Sequence, residues 1–449
     1  MSQRQPYPAY KDSGVEWLGD VPSHWSVKRL RFLCRTNPPK SEIAHLSKDT
    51  IVSFLPMERI GEDYTLLLQE AKTLAEVEQG YTYFRDKDVI VAKITPCFEN
   101  GKGALCHELV NGIGFGTTEL HVIRAGHDIY PAFVAYLTMS RSFRLLGEAS
   151  MKGAAGQKRV PDDFINDFIV PLPPLAEQHA IAAFLDHETA KTDALIVKKE
   201  RQIELLREKQ KALVSHTVMK GLDPSAPTRD SEVEWLGNIP SHWETKRIRD
   251  VSLSLQTGPF GSQLHSGDYI PDGIPVINPS HMKNGHIYPD RECAIDDHTW
   301  SRLAQHRLHQ GDIVFARRGE LGRCALVTSQ EEGWLCGTGS LRMRPNQNVV
   351  DPLYLNWLFS TKGIGEWLSL ESVGATMENL NTSILGRVPL PVPPIDEQRV
   401  IAAFLDRQTT MVSDLITRVA KHIDKLREHR TALISAAVTG KIDVREGTV

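Results

Sequence analysis

Two runs of this 449-residue chain concentrate cations among glycines. From Arg302 to Arg323 stand five arginines (302, 307, 317, 318 and 323) against two acids, Asp312 and Glu320, and the run closes on "ARRGELGR". From Arg141 to Arg159 stand Arg141, Arg144, Lys152, Lys158 and Arg159 against Glu148, around "MKGAAGQKR". Glycine lets a backbone approach a phosphate closely. Arg and Lys reach phosphate oxygens or pair with the edge of guanine. Such runs suit nucleic acid. The net charge of −4 argues against a protein that is basic all over, but not against one with basic faces.

Residues for catalysis are harder to find. "ENGKGA" at Glu99 has a Gly-Lys pair without the upstream glycine or the hydroxyl residue of a phosphate-binding loop. There is no HExxH, and His187 in "HET" has no second histidine placed to share a metal. Cys34, Cys97, Cys106, Cys293, Cys324 and Cys336 form no CxxC pair, which argues against a zinc site or a disulfide framework. "NPPK" at Asn37 is similar to the loop of amino-methyltransferases, in which a polar side chain holds the target amine and an aromatic ring stacks on the base. Lys40 stands where the aromatic belongs, and no glycine-rich cofactor loop accompanies it. A DNA adenine methyltransferase with its own catalytic loop is the alternative reading. No apolar run is long enough to span a bilayer, and the N-terminus lacks the apolar core of a signal peptide, so a cytoplasmic protein without membrane contact is expected.

The elements that position these residues are written twice. "DSGVEWLGDVPSHW" (Asp12 to Trp25) recurs as "DSEVEWLGNIPSHW" (Asp230 to Trp243). "VPLPPLAEQHAIAAFLDHET" (Val170 to Thr189) recurs as "LPVPPIDEQRVIAAFLDRQT" (Leu390 to Thr409). Each copy therefore runs through the WLG phrase, a variable stretch, the PPxxEQ block and a charged helical stretch. The period is far too long for a solenoid and marks a tandem duplication, with pseudo-twofold symmetry expected. Inside the variable stretches "DVIVAKI" (Asp88 to Ile94) and "GDIVFAR" (Gly311 to Arg317) read as buried strands, and one helix is expected from Tyr130 and one from Asp351.

After each double proline a heptad pattern begins. Val412, Val419, Leu426 and Leu433 are spaced by sevens, with Ile416, Ile423 and Ala437 in the other seam position and Arg430 as one charged interruption. Ile196, Ile203, Leu206 and Leu213 follow the same template, with Lys199 and Gln210 as polar breaks. Glu177 to Lys220 holds no Gly or Pro, so a continuous helix of roughly 65 Å is expected. A helix that long needs a partner, and the duplication supplies one. Antiparallel pairing would bring the end of the second helix back to the N-terminus. Both WLG phrases would then sit at helix-to-domain junctions, with Trp17, Trp25, Trp235 and Trp243 as core.

In this order of parts the chain resembles the specificity (S) subunit of type I restriction-modification systems. The resemblance is carried by the two WLG phrases, the two PPxxEQ blocks, "GDIVFARRGELGR" and the closing "LREHRTALISAAVTGKID", and covers essentially the whole chain. It implies an α+β protein: two mixed α/β target recognition domains separated by two long antiparallel coiled-coil helices. The expected bounds are 12–175 and 232–395 for the domains, 176–221 and 396–441 for the helices, and 222–231 for a linker. Each domain would read one half of a bipartite, asymmetric site on double-stranded DNA. The helices would set the spacer and dock two modification (M) subunits.

Further implications concern chemistry. S-adenosylmethionine would belong to the M subunits, ATP and Mg to restriction (R) subunits, and no cofactor or catalytic residue to this chain. DNA contacts are expected from Lys93, Thr95, Asn100 and Lys102 around "NGKG", and from Lys152, Gln157, Lys158 and Arg159 around "GAAGQKRV". Ser262 and Gln263 in "GPFGSQ" and Arg317, Arg318 and Arg323 complete the set. The second copy departs from the pattern: "GATMENLN" (Gly374 to Asn381) carries no Lys or Arg where the first has "GAAGQKRV".

Overall fold

Each long helix begins where two prolines stop a strand. Strands Ile169–Leu172 and Pro389–Val392 run into Pro173-Pro174 and Pro393-Pro394, and the helices Leu175–Lys220 and Ile395–Val438 follow. Two successive prolines remove two ladder donors, yet the fixed φ of proline suits a first helical turn. This computed structural model describes residues 5–154, 156–319, 322–372 and 380–445, leaving aside the side chains of Ser262 and Ser372.

The heptad reading of the helices describes what they bury. Ile196, Lys199, Ile203, Leu206, Gln210 and Leu213 are all buried or half-buried, as are Val412, Ile416, Val419, Ile423, Leu426, Arg430, Leu433 and Ala437. The chain divides into two compact units, residues 1–200 with 420–449, and residues 201–419. In the first unit Arg430 Nε lies 2.9 Å from Asp193 and Arg427 lies 2.9 Å from Glu200. Ile181 and Leu185 share a core with Ile434, Ala437 and Val438. Rising numbers meet falling ones, so the pairing is antiparallel. In the second unit Gln210 Nε2 donates to the Thr409 carbonyl at 3.4 Å, and Val214 and Val218 share a core with Ile401 and Leu405, again antiparallel. The polar breaks in the seam thus have partners: Arg430 meets a carboxylate and Gln210 a helix carbonyl.

Both units hold the same four-stranded antiparallel sheet. In the first its order is Cys34–Thr36, Leu120–Ala125, Asp88–Ala92, Gly103–Leu105. In the second it is Ser252–Thr257, Ser340–Pro345, Ile313–Ala316, Cys324–Leu326. "DVIVA" and "IVFA" are wholly buried central strands, which accounts for their unbroken apolar runs. A second sheet, four-stranded in the first unit and three-stranded in the second, accompanies each, with one parallel pair: Ile113–Gly116 on Ile51–Leu55, and Ile274–Ile277 on Leu335–Cys336. Ser26–Arg29 on Ile169–Leu172, and Glu244–Arg247 on Pro389–Val392, close the domains. The single helix expected from Tyr130 is two, Pro131–Met139 and Arg141–Ser150. Ser140 is extended, and its hydroxyl accepts from the Phe143 N–H, so a local cap outcompetes continuation. The stretch from Asp351 divides likewise into Pro352–Phe359 and Lys362–Ser372.

The two repeated phrases meet each other. Glu177 of the PPxxEQ block accepts Trp25 Nε1 at 3.0 Å and Tyr7 Oη at 2.5 Å on Oε1, and His24 Nε2 lies 2.8 Å from Oε2. Glu397 accepts Trp243 Nε1 at 3.2 Å, with His242 Nε2 2.8 Å from its other oxygen. The neighbouring glutamines face the opposite way. Gln178 Oε1 accepts the Tyr130 N–H at the start of helix Pro131–Met139, and its amide donates to the carbonyls of Pro173 and Asp128. Gln398 does the same for Asp351, Pro393 and Val349. The far end of the other helix completes each joint. Gly440 (φ +72°) and Gly221 (φ +76°) close the helices, and a Cβ there would come within 3.1 and 3.2 Å of the Trp25 and Trp243 rings. Trp25 and Trp243 are buried core, while Trp17 and Trp235 are partly buried against the same two cores.

The Glu177 side chain is 6 % exposed and that of Glu397 30 %. Truncation of Glu177 leaves the buried donors Tyr7 and Trp25 without an acceptor, a loss of about 2–3 kcal/mol. We expect Glu177→Ala to lower the urea midpoint of the transition reported by its unit, and Glu397→Ala to lower its own by less. Equal, negligible shifts in both would show that the carboxylates do not hold the joints.

Candidate nucleic-acid interface

The strands of each central sheet deliver their loops to one end. In the first unit Cys34–Thr36 and Asp88–Ala92 finish there, and Gly103–Leu105 and Leu120–Ala125 start there. Asp88–Ala92 runs straight into Lys93. The Lys93 N–H donates to the Glu119 carbonyl, and the Lys93 carbonyl accepts from the Val160 N–H, each at 2.9 Å. Thr95 N–H donates to the Lys158 carbonyl at 3.0 Å. Lys152 and Arg159 exchange both backbone hydrogen bonds, at 3.0 and 2.9 Å. The stretches around "NGKG" and "GAAGQKRV", far apart in sequence, are therefore one structure.

That structure assigns its cations different surroundings. Lys152, Gln157 and Lys158 are exposed. Arg159 forks onto Glu119 at 2.9 and 2.8 Å, an ion pair that holds the loop. Lys102 Nζ donates to the Met57 carbonyl at 2.9 Å. Thr95 Oγ1 donates to Glu99 at 3.0 Å, and Asn100, exposed, sits in the turn that returns to Gly103. Of the earlier charged run, Arg144 is turned inward, donating to the carbonyls of Phe98 and Gly101 and to Tyr64 Oη.

The second unit repeats the frame with other residues. Ile313–Ala316 runs into Arg317, whose N–H donates to the Gly339 carbonyl and whose carbonyl accepts from the Leu380 N–H, each at 2.9 Å. Arg317 thus occupies the place of Lys93, and "ARRGELGR" the place of "AKITPCFENGKG". Both loops join the central strand to the next strand of its sheet, Asp88–Ala92 to Gly103–Leu105 and Ile313–Ala316 to Cys324–Leu326. Arg317 Nε also donates to the Leu380 carbonyl at 3.2 Å. Arg318 is exposed, and Arg323, half-buried, donates to the Pro279 carbonyl at 3.4 Å. Gln263 caps its own turn by accepting the Phe260 N–H at 3.3 Å, and the side chain of Ser262 lies outside the described residues. So does most of "GATMENLN"; its last two residues, Leu380 and Asn381, stand where Val160 and Pro161 end the first unit's loop.

At the opposite end of each central sheet, where Asp88–Ala92 and Ile313–Ala316 begin, lies an ion pair on a buried aspartate that the sequence reading missed. Arg124, opposite Asp88 on the neighbouring strand, holds it at 2.7 and 2.6 Å, and Arg344 holds Asp312 at 2.8 Å through two nitrogens. The signal was present: "DVIVAK" and "DIVFAR" align residue for residue.

"NPPK" lies at the first sheet end, but its polar groups are engaged. Asn37 Oδ1 accepts the Val122 N–H at 2.9 Å and its own N–H donates to the Val122 carbonyl at 2.7 Å. Lys40 Nζ donates to the Glu78 carbonyl at 2.6 Å. An amide clasping a strand in this way is not placed to hold a target amine. Among the described residues no three His, Cys, Asp or Glu side chains are grouped to hold a metal, and no helix is long and apolar enough to cross a membrane. The cysteines are unpaired, and burial pushes the Cys34, Cys324 and Cys336 thiols up to about 12.

A duplicated α+β scaffold, with loops gathered at one end of a sheet in each copy, is the class that this geometry defines. The chain belongs to the family of the type I restriction modification DNA specificity domain, which matches residues 22–205 and 240–425. It is 35 % identical over 255 residues to the type I restriction enzyme EcoAI specificity subunit of Escherichia coli, covering 56 % of this chain but only 41 % of that one. The EcoKI specificity subunit of E. coli strain K12 is 23 % identical over 330 residues, 72 % of this chain and 68 % of its own. The crystal structure of the HsdS subunit from Thermoanaerobacter tengcongensis shares the fold, with a TM-score of 0.58 at 19 % identity over 94 % of this chain and 98 % of that one. A chain from a type I R-M system assembly gives 0.71, also at 19 %, over 94 % and 99 %.

One buried histidine ties the first unit's loops together. His121 Nε2 lies 2.9 Å from the Val160 carbonyl oxygen, while Nδ1 is 3.0 Å from Asp162 Oδ1 but off line for a hydrogen bond. Burial depresses its pKa, against the opposing pull of Val160 and Asp162. The unfolded chain therefore takes up this proton first. The stability that His121 confers is whole above the unfolded value of about 6.5 and is lost as pH falls from there through the folded value. In urea titrations between about pH 7.5 and pH 5.5, the first unit should lose less stability in His121→Gln than in wild type. Identical losses would assign the proton to another group.

Proposed function

We propose that this chain is the DNA-reading subunit of a type I restriction-modification complex, with each unit reading one half of a bipartite, asymmetric site. The observation that carries this is the equivalence of Lys93 and Arg317. Each is the first residue beyond a buried central strand, clasped by backbone on both sides, amid exposed cations. The rim of Lys93, Lys152, Gln157 and Lys158 in one unit and of Arg317 and Arg318 in the other meets the DNA. Cations on both rims neutralise phosphates, and the loop residues that differ between the units read different bases. Thr95, Asn100, Lys102, Arg159, Ser262, Gln263 and Arg323 shape or border these rims. The recognition domains are residues 12–175 and 232–395.

In this reading the long helices set the spacer and dock two M subunits, which bring S-adenosylmethionine and methylate adenine. R subunits bring ATP and Mg for translocation and cleavage. The chain itself performs no covalent step and works in the cytoplasm on double-stranded DNA. The rival, a methyltransferase acting through "NPPK", loses support from the engagement of Asn37 with Val122.

The closing strands mark where a recognition domain can be exchanged, since Lys28 and Val170 are direct partners in the first unit. Replacing everything between them with the matching stretch of a relative of different target should change one half-site and leave the other and the spacer intact. Mapping methylated adenines in cells that carry the hybrid reads this directly. Change in both half-sites would contradict independent reading.

A further inference from the structure

Charge does not account for one residue at the second unit's sheet end. Strand Ser252–Thr257 leads into Gly258, whose N–H donates to the Ser340 carbonyl at 2.9 Å. A Cβ at Gly258 would lie 1.8 Å from the Gly337 carbonyl oxygen, so the chain is pressed against the lead-in to strand Ser340–Pro345. Pro259 is buried and Leu264 is buried, but Phe260 between them is 63 % exposed. Its backbone is extended, and its N–H is taken by Gln263, three residues further along the same turn. The ring is held out between two anchors.

Single exposed apolar residues are ordinary on a protein surface. The place of this one is not. The Arg317 N–H is bonded to Gly339, two residues from the carbonyl that Gly258 abuts, and the Arg302 guanidinium donates to the Gln263 carbonyl at 2.6 Å. The loop that presents Phe260 is therefore fastened to the same strand lead-in as the arginine rim, and cations flank it on both sides. Cations favour a polyanion. An apolar ring among them favours the part of a polyanion that is not charged, and in nucleic acid that part is the face of a base. The corresponding stretch of the first unit, Asn37 to Lys40, offers no aromatic.

We propose that Phe260 is an apolar wedge that packs against a base of the half-site read by the second unit, opening one base step while the arginines hold the backbone. The proposal rests on reading the unit as a DNA-recognition domain and adds a contact that charge-based recognition would lack.

The test uses the full chain assembled with its modification subunits, on a duplex carrying the mapped site. 2-Aminopurine is placed in turn at each position of the second unit's half-site other than the methylated pair. Wild type should raise the fluorescence at one step. Phe260→Ala should abolish that rise and weaken binding by about tenfold, with the salt slope unchanged, and Phe260→Trp should retain both. Arg317→Ala, by contrast, should lower the slope. If Phe260→Ala bound and lit the probe as wild type does, the wedge would be overturned and the domain reading would stand. If wild type itself failed to prefer the site over scrambled DNA, the reading beneath would fall and the wedge with it.

Discussion

A hydrogen-bonded carboxylate at the start of each long helix, buried at Glu177 and half-buried at Glu397, is the constraint on which the architecture depends. A buried carboxylate must have donors, because leaving it unpaired costs several kcal/mol. Glu177 finds them in Tyr7, His24 and Trp25, and Glu397 in His242 and Trp243. Since the His and Trp donors belong to the WLG phrase and the acceptor to the PPxxEQ block, neither phrase can change alone. The adjacent glutamine extends the same logic by capping the helix that backs the central sheet. One dipeptide thus fixes a long helix to its domain on two sides, and the glycine that ends the other helix admits the tryptophan.

The contrast between frame and rim follows. Residues of the joint are repeated because their partners lie within the chain. So are the pairs Asp88–Arg124 and Asp312–Arg344, which hold the central strand to its neighbour at the end of the sheet away from the loops. The rim residues have fewer such obligations. Lys93 and Arg317 share only their backbone clasp, and what surrounds them differs: a long turn with Asn100 and Lys102 in one unit, a glycine-hinged arginine loop in the other. On the reading proposed above, such a scaffold could exchange its reading surface without disturbing its joints.

Much of this was legible in the sequence, and the reason is periodicity. Heptads, double prolines and a duplicated phrase are local signals, so the helices, their antiparallel sense and the junction role of Trp25 and Trp243 could be read directly. Splitting of the helix after Tyr130 was missed because Ser140, a residue common anywhere, acts there as a cap. The rim was legible only in part. Charge counting found Arg317 and Lys158 but included Arg144, which the fold turns inward, and Arg159, which Glu119 engages. Composition reports how many cations a stretch holds; only tertiary structure decides which of them a carboxylate or carbonyl has already taken. The equivalence of Lys93 with Arg317 escaped because one loop is longer than the other, although the strands that precede them match.

We propose that the two units read DNA independently and that the length of the long helices sets the spacer between their half-sites. The most direct test is the insertion of four residues after Lys199 in the first long helix, a lengthening of about 6 Å with a rotation of roughly 40°. DNA rises about 3.4 Å per base pair, so the spacer between the half-sites should grow by about one or two base pairs. Genome-wide mapping of methylated adenines gives the answer in one measurement. The account predicts both half-sites unchanged with a longer spacer between them; an unchanged spacer at full activity, or altered half-site bases, would contradict it.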